Sequence, residues 1–374
     1  MAENVMEYKS LKELTKITMG QSPDSSSYNE AGEGMPFYQG NADFGEVYPT
    51  PRVWCNAPKK IAHAGDILIS VRAPIGALNY ANEECCIGRG LAAITIDDPA
   101  NRSYIFHLLK ARNEELNRQG TGSTFKAISR KVLETVQVPM IGEEERENSM
   151  KLMDVLESVI KDRKRQLVAF DELVKARFVE MFGEVTHTEK MKDLCFIITD
   201  GTHQPPKFEH TGIPFIFVSN IAGNELTYNA EKFINQETYD ELIKRTPIEI
   251  GDIVLSTVGS YGHPAVVKSD KKFLFQRHIA YLKPNHELID SEYLHSAILS
   301  DKVQRQIDVG VKGIAQKTLN LSSIKDLDIA VPSIQEQEKF AAFKGQVEKS
   351  KAAVHRSLEE TQTLFDSLMQ TYFG

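Results

Sequence analysis

The chain repeats itself at a spacing of about 190 residues, and that repeat limits what it can fold into more than any other feature. Gly65-Asp-Ile-Leu-Ile-Ser70 returns as Gly251-Asp-Ile-Val-Leu-Ser256. Each is an aliphatic run after a Gly-Asp turn, the signature of a buried strand. Other blocks recur in the same order. Leu11-Lys-Glu-Leu14 and Met191-Lys-Asp-Leu194 open the two copies, and proline loops follow at Gly20-Gln-Ser-Pro23 and Gly201-Thr-His-Gln-Pro-Pro206. Gly34-Met-Pro-Phe37 matches Gly212-Ile-Pro-Phe215. Ile87-Gly-Arg-Gly-Leu-Ala-Ala93 matches Phe275-Gln-Arg-His-Ile-Ala-Tyr281, which sets Arg89 against Arg277. The loops differ in length while the strand segments persist.

Each copy closes on a long heptad run. From Gly122 and Gly313 to Phe182-Gly183 and Phe373-Gly374 the two copies keep an offset of 191 residues. Leu156, Ile160, Arg163, Leu167, Phe170, Val174, Arg177 and Met181 are spaced alternately by four and three. Val347, Lys351, Val354, Leu358, Thr361, Phe365, Leu368 and Tyr372 repeat the spacing. Such spacing predicts a coiled-coil seam. The polar interruptions fall at different places in the two runs, so unlike helices pairing antiparallel within the chain can tolerate them. At about 1.5 Å per residue, two helices of about 40 residues form a rod of roughly 55–60 Å.

The expected fold is therefore α+β. Two tandem α/β domains are separated by two long antiparallel coiled-coil helices, with a pseudo-twofold axis across the rod. Residues 1–140 form the first α/β domain, 141–183 the central helix, 184–333 the second α/β domain and 334–374 the C-terminal helix. A chain of 374 residues that is 41% hydrophobic has material for two cores.

Nothing in the sequence marks a catalytic centre or a metal site. Gly310-Val-Lys-Gly-Ile-Ala-Gln-Lys-Thr318 approaches a P-loop but places Ala315-Gln316 before Lys317. Gly120-Thr-Gly122 is too short for a dinucleotide turn, and no metalloprotease or serine-hydrolase motif occurs. Cys55, Cys85, Cys86 and Cys195 make no zinc spacing and read as buried thiols of a reducing compartment. No export signal and no apolar run of membrane-spanning length is visible, so the expected location is cytoplasmic. With 44 Lys and Arg against 52 Asp and Glu, the net charge of −8 excludes wrapping nucleic acid by bulk electrostatics. Any DNA contact has to come from local basic loops, or to share its phosphate contacts with a partner.

Those loops carry the candidate contacts. In the first copy they are Gln21, Ser22, Arg72, Ser123, Thr124 and Lys126; in the second, Thr202, His203, Gln204, Ser260, Tyr261, Lys312, Gln316 and Lys317. Arginine and lysine pair with guanine O6 and N7 and glutamine with adenine, while hydroxyls hold phosphates. Lys126 and Lys317 match at the 191-residue offset and are expected on phosphate. Arg89 and Arg277, at the mouth of a core strand, read as structural ion-pair partners. Because the two copies differ most in these loops, they imply two different half-sequences around an unread spacer. The rod would set it, with the modules about one to one and a half duplex turns apart at roughly 34–36 Å per turn.

The ordered pairs of motifs make the chain resemble the specificity subunit of type I restriction–modification enzymes. The Gly-Asp strands at 65–68 and 251–254, the Gly-to-Lys loops at 122–126 and 313–317, and the Val-Pro turns at 139 and 332 carry the resemblance. Ile334-Gln-Glu-Gln-Glu338 opens the second helix, a pattern the first copy replaces with Ile141-Gly-Glu-Glu-Glu145. The resemblance spans residues 8–374. It implies a non-catalytic subunit whose two domains each read one half of a split double-stranded DNA site. It further implies two methyltransferase subunits that use S-adenosylmethionine and two restriction subunits that use ATP and Mg2+, with no cofactor on this chain and no membrane. A rival of another class is a stand-alone bipartite DNA-binding regulator or architectural protein, which would work without a methyltransferase. A fused nuclease–methyltransferase finds no room, because the repeat occupies the whole chain.

Overall fold

The computed structural model describes residues 7–98, 101–122, 126–313 and 317–374. They form two compact units. One is drawn from the chain up to Lys164 together with Arg356–Gly374, the other from Arg165–His355.

In the first unit, β1 (Lys16–Met19), β2 (Ile67–Ser70), β3 (Leu78–Tyr80) and β4 (Leu91–Thr95) form an antiparallel sheet in the order β1-β4-β2-β3. The period of two sends alternate residues to opposite faces. Ile67, Ile69, Ala92 and Ile94 pack with Tyr104 and Leu108 of helix α1 (Arg102–Ala111). Leu68, Leu91 and Ala93 pack on the other side with Tyr38. Both faces are covered, which is why these strands read as continuous aliphatic runs. Tyr38 belongs to a second sheet, built from Met35–Tyr38 and four shorter strands.

The second unit repeats the plan. β5 (Cys195–Asp200) precedes helix α2 (Gln236–Leu242), followed by β6 (Ile253–Ser256), β7 (Pro264–Val266), β8 (Ile279–Pro284) and helix α3 (Ser291–Ile298). The sheet order is β5-β8-β6-β7. Ile253, Leu255, Ala280 and Leu282 pack with Tyr293 and Leu294 of α3, while Val254, Ile279 and Tyr281 face Phe273 and Phe275. Helix α2 has no counterpart in the first unit. Its N-terminus is held by the Asn235 side chain, which accepts from the Thr238 N–H at 2.9 Å.

The duplication extends to individual hydrogen bonds. Gly65 N–H donates to the Ala81 carbonyl at 2.7 Å, and Gly251 to Val267 at 2.9 Å. The Tyr104 hydroxyl donates to the Pro139 carbonyl and that of Tyr293 to Ala330, both at 2.7 Å. Ile67 stands opposite Tyr80 across the sheet, as Ile253 stands opposite Val266. Two diverged sequences thus keep one backbone ladder.

The central helix (Glu143–Phe182) and the C-terminal helix (Ile334–Phe373) are 40 residues each, and each contributes to both units. In the first unit Met150, Met153, Leu156 and Ile160 share a core with Phe365 and Phe373. In the second, the rings of Phe178 and Phe182 lie 5.4 and 5.7 Å from that of Phe340. The Arg177 guanidinium stands 5.9 Å from the Phe343 ring, and Lys351 Nζ is 2.8 Å from Asp171. Within the second unit, partners therefore follow one another in opposite order along the two helices. Of the seam residues, Leu156, Ile160, Val347, Val354 and Phe365 are buried. Leu167, Phe170, Val174, Met181, Leu358, Leu368 and Tyr372 are half-buried. The interruptions are accommodated locally: Lys351 takes Asp171, and the Thr361 hydroxyl donates to the Ser357 carbonyl at 2.7 Å.

Cys55, Cys85 and Cys86 are buried and Cys195 is half-buried, all as free thiols. Burial pushes Cys85 and Cys195 up to about 12 and Cys86 to about 11, which leaves them protonated and unreactive. Among the described residues no helix is long and apolar enough to cross a membrane.

Candidate nucleic-acid interface

The candidate loops of the first unit are stitched together at one end of its four-stranded sheet. There β1 and β2 finish and β4 begins. Gly20 N–H donates to the Leu91 carbonyl at 2.9 Å and Gln21 N–H to Ile87 at 3.0 Å. Val71 N–H donates to Gly90, and Ile128 N–H to Val71, both at 2.9 Å; Ala73 N–H donates to Lys126 at 3.1 Å. A Cβ on Gly20 would sit 2.1 Å from the Gly88 carbonyl oxygen, so the close approach of these two loops requires glycine. The arrangement presents Gln21, Arg72 and Lys126 to solvent. Ser22 is half-buried, its hydroxyl within 3.0 Å of the Gln39 side chain and accepting from the Arg89 N–H at 3.3 Å.

The second unit builds the same edge with other side chains. Gly201 N–H donates to Ile279 at 3.1 Å, Thr202 N–H to Phe275 at 3.0 Å, Thr257 N–H to His278 at 2.9 Å and Leu319 N–H to Thr257 at 2.8 Å. A Cβ on Gly201 would meet the Phe275 carbonyl oxygen at 2.4 Å. His203, Gln204, Ser260, Lys312 and Lys317 are exposed and Thr202 is half-buried. Lys312 and Lys317 flank a hairpin in which Val311–Lys312 pairs with Thr318–Leu319. Asp200, at the end of β5, holds His203 Nε2 at 2.8 Å. Burial, and then the charge of Arg277, keep His278 below the ordinary imidazole range and so neutral.

Tyr261 differs from the other candidates. Its ring packs against the core and its hydroxyl donates to Asp308 at 3.0 Å, so it braces its loop from inside. Ser123, Thr124 and Gln316 lie outside the described residues. The ion-pair reading of Arg89 and Arg277 is corrected. Both are exposed at the tips of the turns that precede β4 and β8, and among the described residues neither makes an ion pair. They join the cationic edge that their mirrored sequence blocks create.

A family model described as the type I restriction modification DNA specificity domain matches the chain twice, at residues 3–168 and 187–361. The chain belongs to that family. It is 42% identical over 152 residues to the type I restriction enzyme MjaX specificity subunit of Methanocaldococcus jannaschii, a match covering 40% of this chain and 36% of that protein. The chain thus spans about a third of that relative's length. To the type I restriction enzyme EcoBI specificity subunit of Escherichia coli it is 22% identical over 415 aligned positions, covering 97% of this chain and 84% of that one. The crystal structure of the type I restriction–modification system S subunit from M. genitalium has the same fold, with a TM-score of 0.65 and 13% identity over 100% of this chain and 98% of that one.

Each copy of the specificity domain therefore ends its main sheet in a set of polar loops held by the same main-chain bonds. Sequence periodicity located the loops, but it left out two side chains that meet them. Gln39 touches Ser22 from the second sheet, and Arg245 reaches Asp200 and His203 from the turn after α2. Neither lies in a block that repeats, so the internal alignment carried no signal for them.

Proposed function

We propose that this chain is the DNA-recognition subunit of a type I restriction–modification enzyme, with residues 1–140 and 184–333 each reading one half of a split target. The residues at 141–183 and 334–374 pair as an antiparallel coiled coil, relate the two modules by a pseudo-twofold axis, set the unread spacer and dock two methyltransferase subunits. Methyl transfer from S-adenosylmethionine then takes place on those partners. ATP- and Mg2+-driven restriction takes place on two further subunits, and the assembly works in the cytoplasm. One observation carries the reading: identical backbone stitching gathers Gln21, Arg72 and Lys126 in one unit and His203, Gln204 and Lys317 in the other. A shared frame with unlike side chains suits two unlike half-sites. The opposite order of helix partners and the acidity of the chain support it too, since methyltransferase subunits would supply the remaining phosphate contacts.

The test is co-expression with a methyltransferase subunit followed by mapping of N6-methyladenine across the host genome. The reading expects a 2:1 complex and a motif of two unlike halves around a fixed gap. Alone, the chain should bind DNA weakly and lose that binding as salt rises. Nanomolar site-specific binding by the isolated chain in 150 mM salt would contradict the division of labour.

A further inference from the structure

The second unit carries an element that the first does not, and it delivers an arginine to the loop edge. Between its short strand Phe233–Ile234 and β6 it inserts α2 and the turn Ile243–Arg245, whereas no helix lies between Trp54–Cys55 and β2. The insert is anchored from below. Tyr239, Leu242 and Ile243 pack on the cluster around Phe215, and Thr246 is buried. Arg245 is thereby fixed at its backbone while its side chain stays 53% exposed.

One carboxylate holds that side chain against the reading loop. Asp200, itself only 17% exposed, accepts from Arg245 Nη2 through Oδ1 and contacts His203 Nε2 through Oδ2 at 2.8 Å. Arg245 Nη2 is also 3.4 Å from His203 Nε2. Nε and Nη1 have no partner among the described residues. The guanidinium borders a cleft of about 570 Å³ between Gly201–Lys207 and the insert. Lys207, Lys244 and Arg245 bring positive charge to its wall against Glu241 and the Asp200 carboxylate that pairs with Arg245. A cationic cleft in a chain of net charge −8 is a local arrangement, not a consequence of composition.

We infer that Arg245 reads a base edge in the half-site assigned to the second unit, with Asp200 as the positioning residue that fixes the guanidinium plane. The inference rests on the reading of that unit as a DNA-recognition module. A planar fork whose orientation is set by a carboxylate suits the paired acceptors O6 and N7 of guanine, whereas Lys207 and Lys244 supply charge without a fixed geometry and suit phosphate. Because the insert exists in one unit only, this contact adds specificity to one half-site only.

The experiment uses the complex of the full chain with its methyltransferase and reads the methylated motif genome-wide. Arg245→Ala is expected to relax one guanine·cytosine position in a single half-site, with discrimination there falling about tenfold or more, and to leave the other half unchanged. Asp200→Asn should relax the same position more weakly. Lys207→Ala should lower methylation alike at every sequence. A full motif retained by Arg245→Ala overturns the inference, whether or not overall methylation falls, and so does relaxation in both halves. If the alanine variant does not assemble, Arg245→Lys keeps the charge without the fork and decides on the same terms. Absence of any split motif from the unaltered complex is a separate result, since it removes the two-module reading itself.

Discussion

The two units share a backbone ladder but pin it to the long helices by different chemistry. In the first unit, His107 on α1 is 1% exposed and its Nε2 lies 3.0 Å from Asp154 on the central helix, which also accepts from the Ser103 hydroxyl at 2.8 Å. Beside it, Tyr80 and Phe106 stack at 4.5 Å. The matched tyrosines Tyr104 and Tyr293 set an offset of 189 here, so Phe106 corresponds to His295 and Ser103 to Glu292. The sheet register makes Val266 the counterpart of Tyr80. At the 191-residue offset, Met153 becomes Lys344. The second unit thus replaces aromatic packing by a buried polar cluster. Lys344 Nζ sits 2.7 Å from Glu292 and 2.9 Å from His295 Nδ1, while His295 Nε2 is 2.9 Å from the Asn224 carbonyl oxygen. Val266, His295, Lys344, Phe178 and Phe182 line a cavity of about 880 Å³ in that unit. Strand cores and main-chain bonds define the fold, and the side chains joining sheet to helix were free to diverge.

The largest effect expected from this difference is at Phe340. Its ring is fully buried among Phe178, Phe182 and Tyr293, and its first-copy counterpart is Ser149. Phe340→Ala should destabilise the second unit by about 3–5 kcal/mol, read by hydrogen exchange resolved to each unit, whereas Ser149→Ala should cost about 1 kcal/mol or less in the first. Equal losses would mean that the aromatic cluster is not what anchors the second unit to its helices.

Next comes the buried cluster. Lys344→Met alone leaves Glu292 without its buried partner and should cost about 3 kcal/mol. Adding Glu292→Ser and His295→Phe converts the cluster to the first unit's residues, and the triple variant should recover that loss or exceed the original stability. A triple variant no more stable than the single one would break the correspondence between the units.

A smaller effect is pH-dependent. Burial, and then the neighbouring Lys344 charge, hold His295 well below the ordinary imidazole value of 6.5. The folded second unit therefore binds fewer protons than the unfolded chain below that pH. Its stability is complete above about pH 6.5 and falls with acidification by up to about 1.4 kcal/mol per pH unit. Thermal unfolding between pH 7.5 and 5.5 should show this slope in the second unit, and the triple variant should reduce it to the part left by His278. A slope undiminished in the triple variant would locate the main titrating group elsewhere.

Much of the frame was legible because it obeys local periodicity. The Gly-Asp strands at 65–70 and 251–256 announce themselves by composition. The residues at four-three spacing on the two long helices are all buried or half-buried. The side-chain pins were not legible, for a physical reason. Glu292 and His295 lie on α3 and Lys344 on the C-terminal helix, 49 residues beyond His295, and only tertiary packing brings their side chains within 3 Å. Arg245 is hidden for the same reason, since its partner Asp200 lies 45 residues earlier. Arg89 and Arg277 were misread because an arginine beside a core strand suggests an internal partner, while the turn points both outward.

The most direct test of the central claim, that each unit reads its own half-site, is a chain in which residues 7–164 are replaced by a second copy of 188–355. Its methylation map, made with the same methyltransferase, should show two inverted copies of the second unit's half-motif around the original gap. Persistence of the original unlike halves, or a folded complex that methylates only an unsplit site, would contradict the account.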